Sequence, residues 1–173
     1  MELQDIKGSY EVIISLGSWC GPSLNLRRSS FPLDWVVSYS LPDVSRILKN
    51  RFAGFMDLKN MKQVDGIDSY LDGGDVVFSD EGGKQQKAHF IQDTYYNVIS
   101  VHVFPMIPNQ DWTHLYPAEK LNHRINKYIK IMSNSNSILF VRWGQFPFTK
   151  QWNYNPSCLN ILFIDPIAGL IGC

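Results

Sequence analysis

The run Tyr10-Glu11-Val12-Ile13-Ile14-Ser15-Leu16 stops at Gly17-Ser18-Trp19-Cys20, and this break constrains the fold more than any other feature. A short apolar stretch rich in β-branched residues and closed by glycine reads as a buried strand. Gly21-Pro22 follow, and proline is tolerated in the first turn of a helix. Strand, glycine and helix start in that order suit an α/β unit. Cys20 falls where the predicted helix begins. The helix dipole and unpaired backbone N–H groups there favour a thiolate, the form that attacks carbonyls. A cysteine after a strand also serves as a small buried apolar group, so position alone leaves both roles open.

Downstream, the predicted helix runs to about Arg28. Phe31-Pro32-Leu33-Asp34-Trp35 reads as an extended turn, because Pro32 disfavours helix at Phe31. Leu41-Pro42-Asp43 opens a second helix with Val44, Ile47, Leu48 and Phe52 on one face. Residues 59–94 are the least regular, with Gly-rich turns around a short strand at Val76-Val77-Phe78. Tyr95 to Phe104 reads as a strand ended by Pro105 and Pro108. Pro117 to Met132 is the clearest helix, with an apolar stripe of Leu121, Ile125, Tyr128, Ile129 and Met132. Its basic residues Lys120, Arg124, Lys127 and Lys130 read as a solvated face. Ser137 to Trp143 and Leu159 to Asp165 are two further buried strands.

This order predicts a single layered α/β domain over residues 1–173. It has a mixed or mostly parallel sheet flanked by helices, with Cys20 at the turn from first strand to first helix. After Asp165-Pro166 no covering helix follows, which fits a natural end or a shortened member of a longer family.

Composition narrows the function. The chain has 173 residues, 45 % of them hydrophobic, enough for one domain with a real core. Its 16 basic and 16 acidic residues cancel, which argues against a general nucleic-acid binder and a polybasic membrane anchor. No basic segment precedes an apolar run at the N-terminus, so no signal peptide is read, and no stretch approaches membrane-span length. Cys20, Cys158 and Cys173 cannot all pair, and their spacing fits no zinc motif. The Asp- and Gly-rich turns at 72–83 lack EF-hand spacing, and no phosphate-cradling loop is present. No metal or cofactor is therefore expected, and a reducing, cytoplasmic setting is the simplest reading.

Ser15-Leu16-Gly17-Ser18-Trp19-Cys20, then Leu26-Arg27-Arg28, then Phe31-Pro32-Leu33-Asp34-Trp35-Val36-Val37-Ser38, together resemble the opening of a known family. It is named "putative papain-like cysteine peptidase" and occurs in bacteria and some viruses. Leu33 stands where that family usually has Phe. Ser100-Val101-His102-Val103-Phe104 is similar to its His-bearing strand, with Val103 at a usually acidic position. His123-Arg124 and Ile138 to Arg142 resemble its later helix and strand.

The resemblance implies a thiol-dependent hydrolase acting on a peptide, isopeptide or related acyl bond of a protein or peptide. It carries the alternative of an α+β, papain-like fold. Cys20 would be the nucleophile and His102 the base, in papain-like order. Asp165 or Asp34 would orient the imidazole. Gly21 and Ser18, with Trp35 and Arg27, are candidates for the oxyanion and substrate side. Each has a plain alternative: His102 a hydrogen-bonded core histidine, Asp34 a turn brace, Asp165 a strand end, Trp35 core, Arg27 an ion-paired helix end.

Two other readings remain. Asp111-Trp112-Thr113-His114 has the Asp-x-x-His spacing of SGNH-type esterases, with Ser18 as the possible nucleophile; the spacing alone is weakly specific. A non-catalytic binding module, using the 59–94 region as its contact surface, is the third.

Overall fold

The protein is seen here as a computed structural model that describes residues 8–17, 31–38, 40–64, 77–79, 85–143 and 159–162. In chain order the elements are β1 (Val12–Ser15), β2 (Val36–Ser38), α1 (Leu41–Lys49), β3 (Met61–Gln63), β4 (Val77–Ser79), β5 (Gln85–Asp93), β6 (Val98–Pro105), α2 (Ala118–Asn134), β7 (Ile138–Trp143) and β8 (Leu159–Leu162). The content is mixed α/β, as expected.

These strands form two sheets. One has the order β1-β7-β8; the other runs β2-β6-β5-β3, with β4 also on β5. β1 and β7 are parallel, from Val12 opposite Ile138 to Ser15 opposite Val141. Every other described pair is antiparallel. Of the two expected arrangements, mixed or mostly parallel, the described strands show the mixed one, with parallel pairing confined to β1 and β7. The reason is local: β5 and β6 are joined by the short turn Thr94–Asn97, and so tight a link permits only antiparallel neighbours.

One core joins both sheets to the helices. Ile14, Leu16, Ile138 and Phe140 meet Val36, Val98 and Phe104 of the second sheet, together with Val44, Ile47 and Tyr128. α1 starts where Ser40 accepts from the Asp43 N–H at 3.4 Å and Pro42 sits in the first turn. Its fully buried Val44 and Ile47 lie one turn apart. α2 packs through Leu121, Ile125, Tyr128 and Met132, joined by Ile131. Val37, Phe90, Ile99 and Val101 make a smaller cluster, as alternation along β6 dictates.

The region read as least regular holds β3 and the nine-residue β5. Gln85-Gln86-Lys87-Ala88-His89 carries no β-branched residue. β5 exists because β4 pairs with Gln85 to Lys87 and β6 supplies a ladder partner from Ala88 onward, a case of context overriding propensity.

Asp93, fully buried at the end of β5, fixes the adjoining turns. Its Oδ1 accepts from the Tyr95 and Tyr96 N–H groups at 2.9 and 3.0 Å. Its Oδ2 accepts from the Met56 N–H at 2.7 Å. Asp93→Asn would put an amide donor against one of these donors. The expected loss is about 2 kcal/mol, read as a lower urea midpoint with an unchanged m-value.

Candidate functional site

The site begins where β1 ends. The Leu16 N–H donates to the Val141 carbonyl at 2.9 Å, one residue beyond the β1–β7 ladder. Gly17 then turns with φ +52°. A Cβ at this position would lie 2.7 Å from the Leu33 carbonyl oxygen and 3.1 Å from that of Val36. Only glycine meets both demands. Gly17→Ala should therefore destabilise by at least about 2 kcal/mol, measured by chemical unfolding; a neutral result would show that the turn can move aside.

Arg142 holds this corner from β7. It is 5 % exposed. Its Nη1 donates to the Leu16 carbonyl at 3.1 Å, the Gly17 carbonyl at 2.5 Å and Ser38 Oγ at 2.7 Å, while Nη2 donates to the Ser38 carbonyl at 2.8 Å. The Ser38 hydroxyl in turn donates to the Gly17 carbonyl. One guanidinium thus ties together the ends of β1, β2 and β7 through neutral oxygens. Desolvation lowers its pKa to about 10, so it stays charged at neutral pH. Parallel register explains the geometry, since Val141 lies opposite Ser15 and Arg142 comes next.

The turn 31–35 packs against the same corner. Asp34 is buried, and its Oδ2 accepts from the Phe31 N–H at 2.6 Å. Backbone bonds from Asp34 N to the Phe31 carbonyl and from Val36 N to the Leu33 carbonyl close the turn. Asp34 is thus a brace of its own turn. Its charge also reaches Arg124 on α2, where it favours the charged guanidinium against the desolvation that lowers that group's pKa.

Trp35 and His102 meet edge to face, their ring centroids 5.1 Å apart, and the Val101 N–H donates to the Trp35 carbonyl at 3.2 Å. His102 sits in an irregularity of β6. Ser100 pairs with Ile91 and Phe104 with His89, so Val101, His102 and Val103 together oppose Phe90. Such a bulge re-aims side chains and is common beside active sites. Here it leaves His102 half-buried, beside Trp35 rather than sealed in the core.

Of the predicted site residues, Trp35 and His102 come together, and Asp34 precedes Trp35 in the same turn, bonded to Phe31. Cys20, Ser18, Gly21, Arg27 and Asp165 lie outside the described residues. Asp111 caps a short 3-10 turn. Its Oδ1 accepts from the Thr113 N–H and hydroxyl at 2.8 and 2.7 Å, bonds that hold its pKa below the usual carboxylate value. The esterase reading needs that carboxylate for His114; Thr113 holds its Oδ1, and His114 lies close enough for its charge to act on Asp111. The basic face of α2 is only partly solvated: Arg124 is half-buried, and Lys127 Nζ lies 5.7 Å from the Phe31 ring centroid. Arg142 and Ser38 were not anticipated as site residues; the available signal was a cation inside the apolar strand Ile138-Leu139-Phe140-Val141-Arg142-Trp143. Among the described residues, no cluster of three or more His, Cys, Asp or Glu could hold a metal, and no helix is long and apolar enough to cross a membrane.

A family model described as "Putative papain-like cysteine peptidase" matches residues 11–147. "Uncharacterized protein R408" of Acanthamoeba polyphaga mimivirus is 24 % identical over 141 residues, covering 76 % of this chain. The chain spans 60 % of that viral protein's length. No solved structure matches. The family match runs from the first residue before β1 to past the end of β7, through the Gly17 corner, the 31–35 turn and His102, and the chain belongs to the "putative papain-like cysteine peptidase" family.

Proposed function

We propose that the protein is a thiol-dependent hydrolase of a peptide, isopeptide or related acyl bond, with Cys20 as nucleophile and His102 as base. The Cys20 thiolate attacks the scissile carbonyl and forms a thioester as the C–N or C–O bond breaks. His102 passes the thiol proton to the leaving group, then takes one from the water that releases the acid. Backbone N–H groups at Gly21 would hold the oxyanion. Ser18, Trp35 and Arg27 would face the substrate.

The observation that carries this reading is the Gly17 corner. Three lines of support converge there: a left-handed glycine wedged under the Leu33 carbonyl, the Arg142 clamp on its carbonyl, and the adjoining Trp35–His102 pair. Three residues of chain keep Cys20 within about 11 Å of Gly17 by covalent reach alone. An anchored strand end is the platform a nucleophile needs, because catalysis requires positioning to a fraction of an ångström. Asp165 or Asp34 would orient the His102 imidazole; Asp34 also accepts from the Phe31 N–H through Oδ2. In this reading residues 1–173 form one layered domain in a reducing, cytoplasmic setting, with Cys20 at a strand-to-helix turn.

Iodoacetamide at neutral pH tests the assignment. Cys20 should be alkylated well before Cys158 and Cys173 in the folded protein, read by peptide mass spectrometry. Equal rates at all three thiols would remove the nucleophile.

A further inference from the structure

α2 carries Lys120, Arg124, Lys127 and Lys130 against a single carboxylate, Glu119, in a chain whose formal net charge is zero. The charge is also one-sided. Lys120, Arg124 and Lys127 follow the i, i+4, i+7 spacing that puts side chains on one helix flank. Glu119, Asn122, Asn126 and Ser133 make the other flank, which has no cation. Like charges one turn apart repel, so this segregation destabilises the free helix.

Nothing nearby neutralises the flank. Arg46 and Lys59 pair with Asp43 and Asp57, but among the described residues none of the four α2 cations has an ion-pair partner. Arg124 is half-buried. Desolvation lowers its pKa, and only the charge of Asp34 acts against that.

The flank also adjoins the candidate site. Lys127 Nζ lies 5.7 Å from the Phe31 ring centroid, and Arg124 feels the charge of Asp34, so both meet the 31–35 turn. That turn carries Trp35, which packs on His102. Lys120, one turn before Arg124, is exposed.

Nucleic acid asks for a broad basic surface, which a chain of zero net charge does not offer. One flank about two turns long suits a short peptide. Lys120 and Arg124 are separated by a rise of about 6 Å. Alternate residues of an extended chain lie roughly 7 Å apart, so their carboxylates can meet successive cations.

We infer that the basic flank of α2 binds an acidic segment of the substrate, with carboxylates at alternate positions meeting Lys120, Arg124 and Lys127. That the segment belongs to the substrate rests on the hydrolase reading of Cys20; the binding itself does not.

Fluorescence anisotropy tests it on the full chain carrying Cys20→Ser, so that no cleavage intervenes. The probe is a short fluorescein-labelled peptide alternating alanine and glutamate; the control alternates alanine and glutamine. The acidic peptide should bind about tenfold more tightly, a preference that three partly exposed charge pairs can supply. It should shrink as salt rises. Lys120→Gln and Arg124→Gln should each lower it about twofold, and adding Lys127→Gln to both should abolish it. Lys62→Gln, which removes an exposed charge from β3, should leave it intact. Equal binding of the two peptides would overturn the proposal. So would a preference that survives the triple variant, an equal loss in Lys62→Gln, or tighter binding of a single-stranded oligonucleotide or of phosphatidylserine vesicles. Cys20 alkylation is a separate readout: failure of the peptide to bind leaves the nucleophile standing, and an unreactive Cys20 leaves the binding standing.

Discussion

Arg142→Ala is expected to lower stability by about 3 kcal/mol, since each buried acceptor left without its donor costs about 1–3 kcal/mol and the relieved desolvation of the guanidinium offsets part of the sum. The side chain makes four hydrogen bonds to Leu16, Gly17 and Ser38, and its loss would leave buried carbonyls without donors. For a domain of this size the unfolding midpoint should fall by roughly 10 °C. Arg142→Lys should recover less than half, because one ammonium cannot reproduce the planar fork that reaches β1 and β2 together. The pH dependence has a definite sign. Burial lowers the folded pKa to about 10, below the ordinary guanidinium value. Between those values the unfolded chain binds the proton and the folded chain does not, so this group's contribution makes stability rise with pH in that window and stay flat below it. The gap between wild type and Arg142→Ala should therefore be constant from about pH 6 to pH 9. A gap that changes across neutral pH would mean that another titrating group shares the corner.

Removing the thiol should have the largest effect on activity. Cys20→Ser is expected to reduce thiol-dependent hydrolysis by at least about a thousandfold, because a serine hydroxyl in a site tuned for a thiolate is a poor nucleophile. His102→Ala should lower it on the order of a hundredfold or more through loss of proton transfer. The urea midpoint of each variant, measured alongside, separates a loss of chemistry from a loss of fold. Hydrolysis that survives Cys20→Ser, with the fold intact, would rule out the covalent mechanism.

Much of the frame was legible in the sequence. β1, α1, α2 and β7 announce themselves because an apolar run or stripe repeats at the period of its element, as Val44 and Ile47 or Leu121, Ile125 and Tyr128 do. β5 did not, since Gln, Lys and His hold their strand geometry only through the neighbouring strands β4 and β6. The bulge at Val101–Val103 is likewise a property of the pair, set by which β5 residues lie opposite, and no spacing within β6 reveals it. The candidate site divides the same way. Asp34 and Trp35 were found through the resemblance, and the plain reading of Asp34 as a turn brace matches its bond to Phe31. Arg142 was visible as a charge in an apolar strand, but its acceptors on Leu16 and Gly17 lie far away in sequence. Only the parallel register of β1 and β7 brings them together.

The most direct test of a Cys20–His102 pair is the pH dependence of Cys20 alkylation, followed by peptide mass spectrometry in wild type and His102→Ala. The account predicts an apparent pKa well below the free-thiol value of about 8.5 in wild type, moving upward when the imidazole is removed. A normal or raised pKa in wild type, or a profile indifferent to His102, would contradict it.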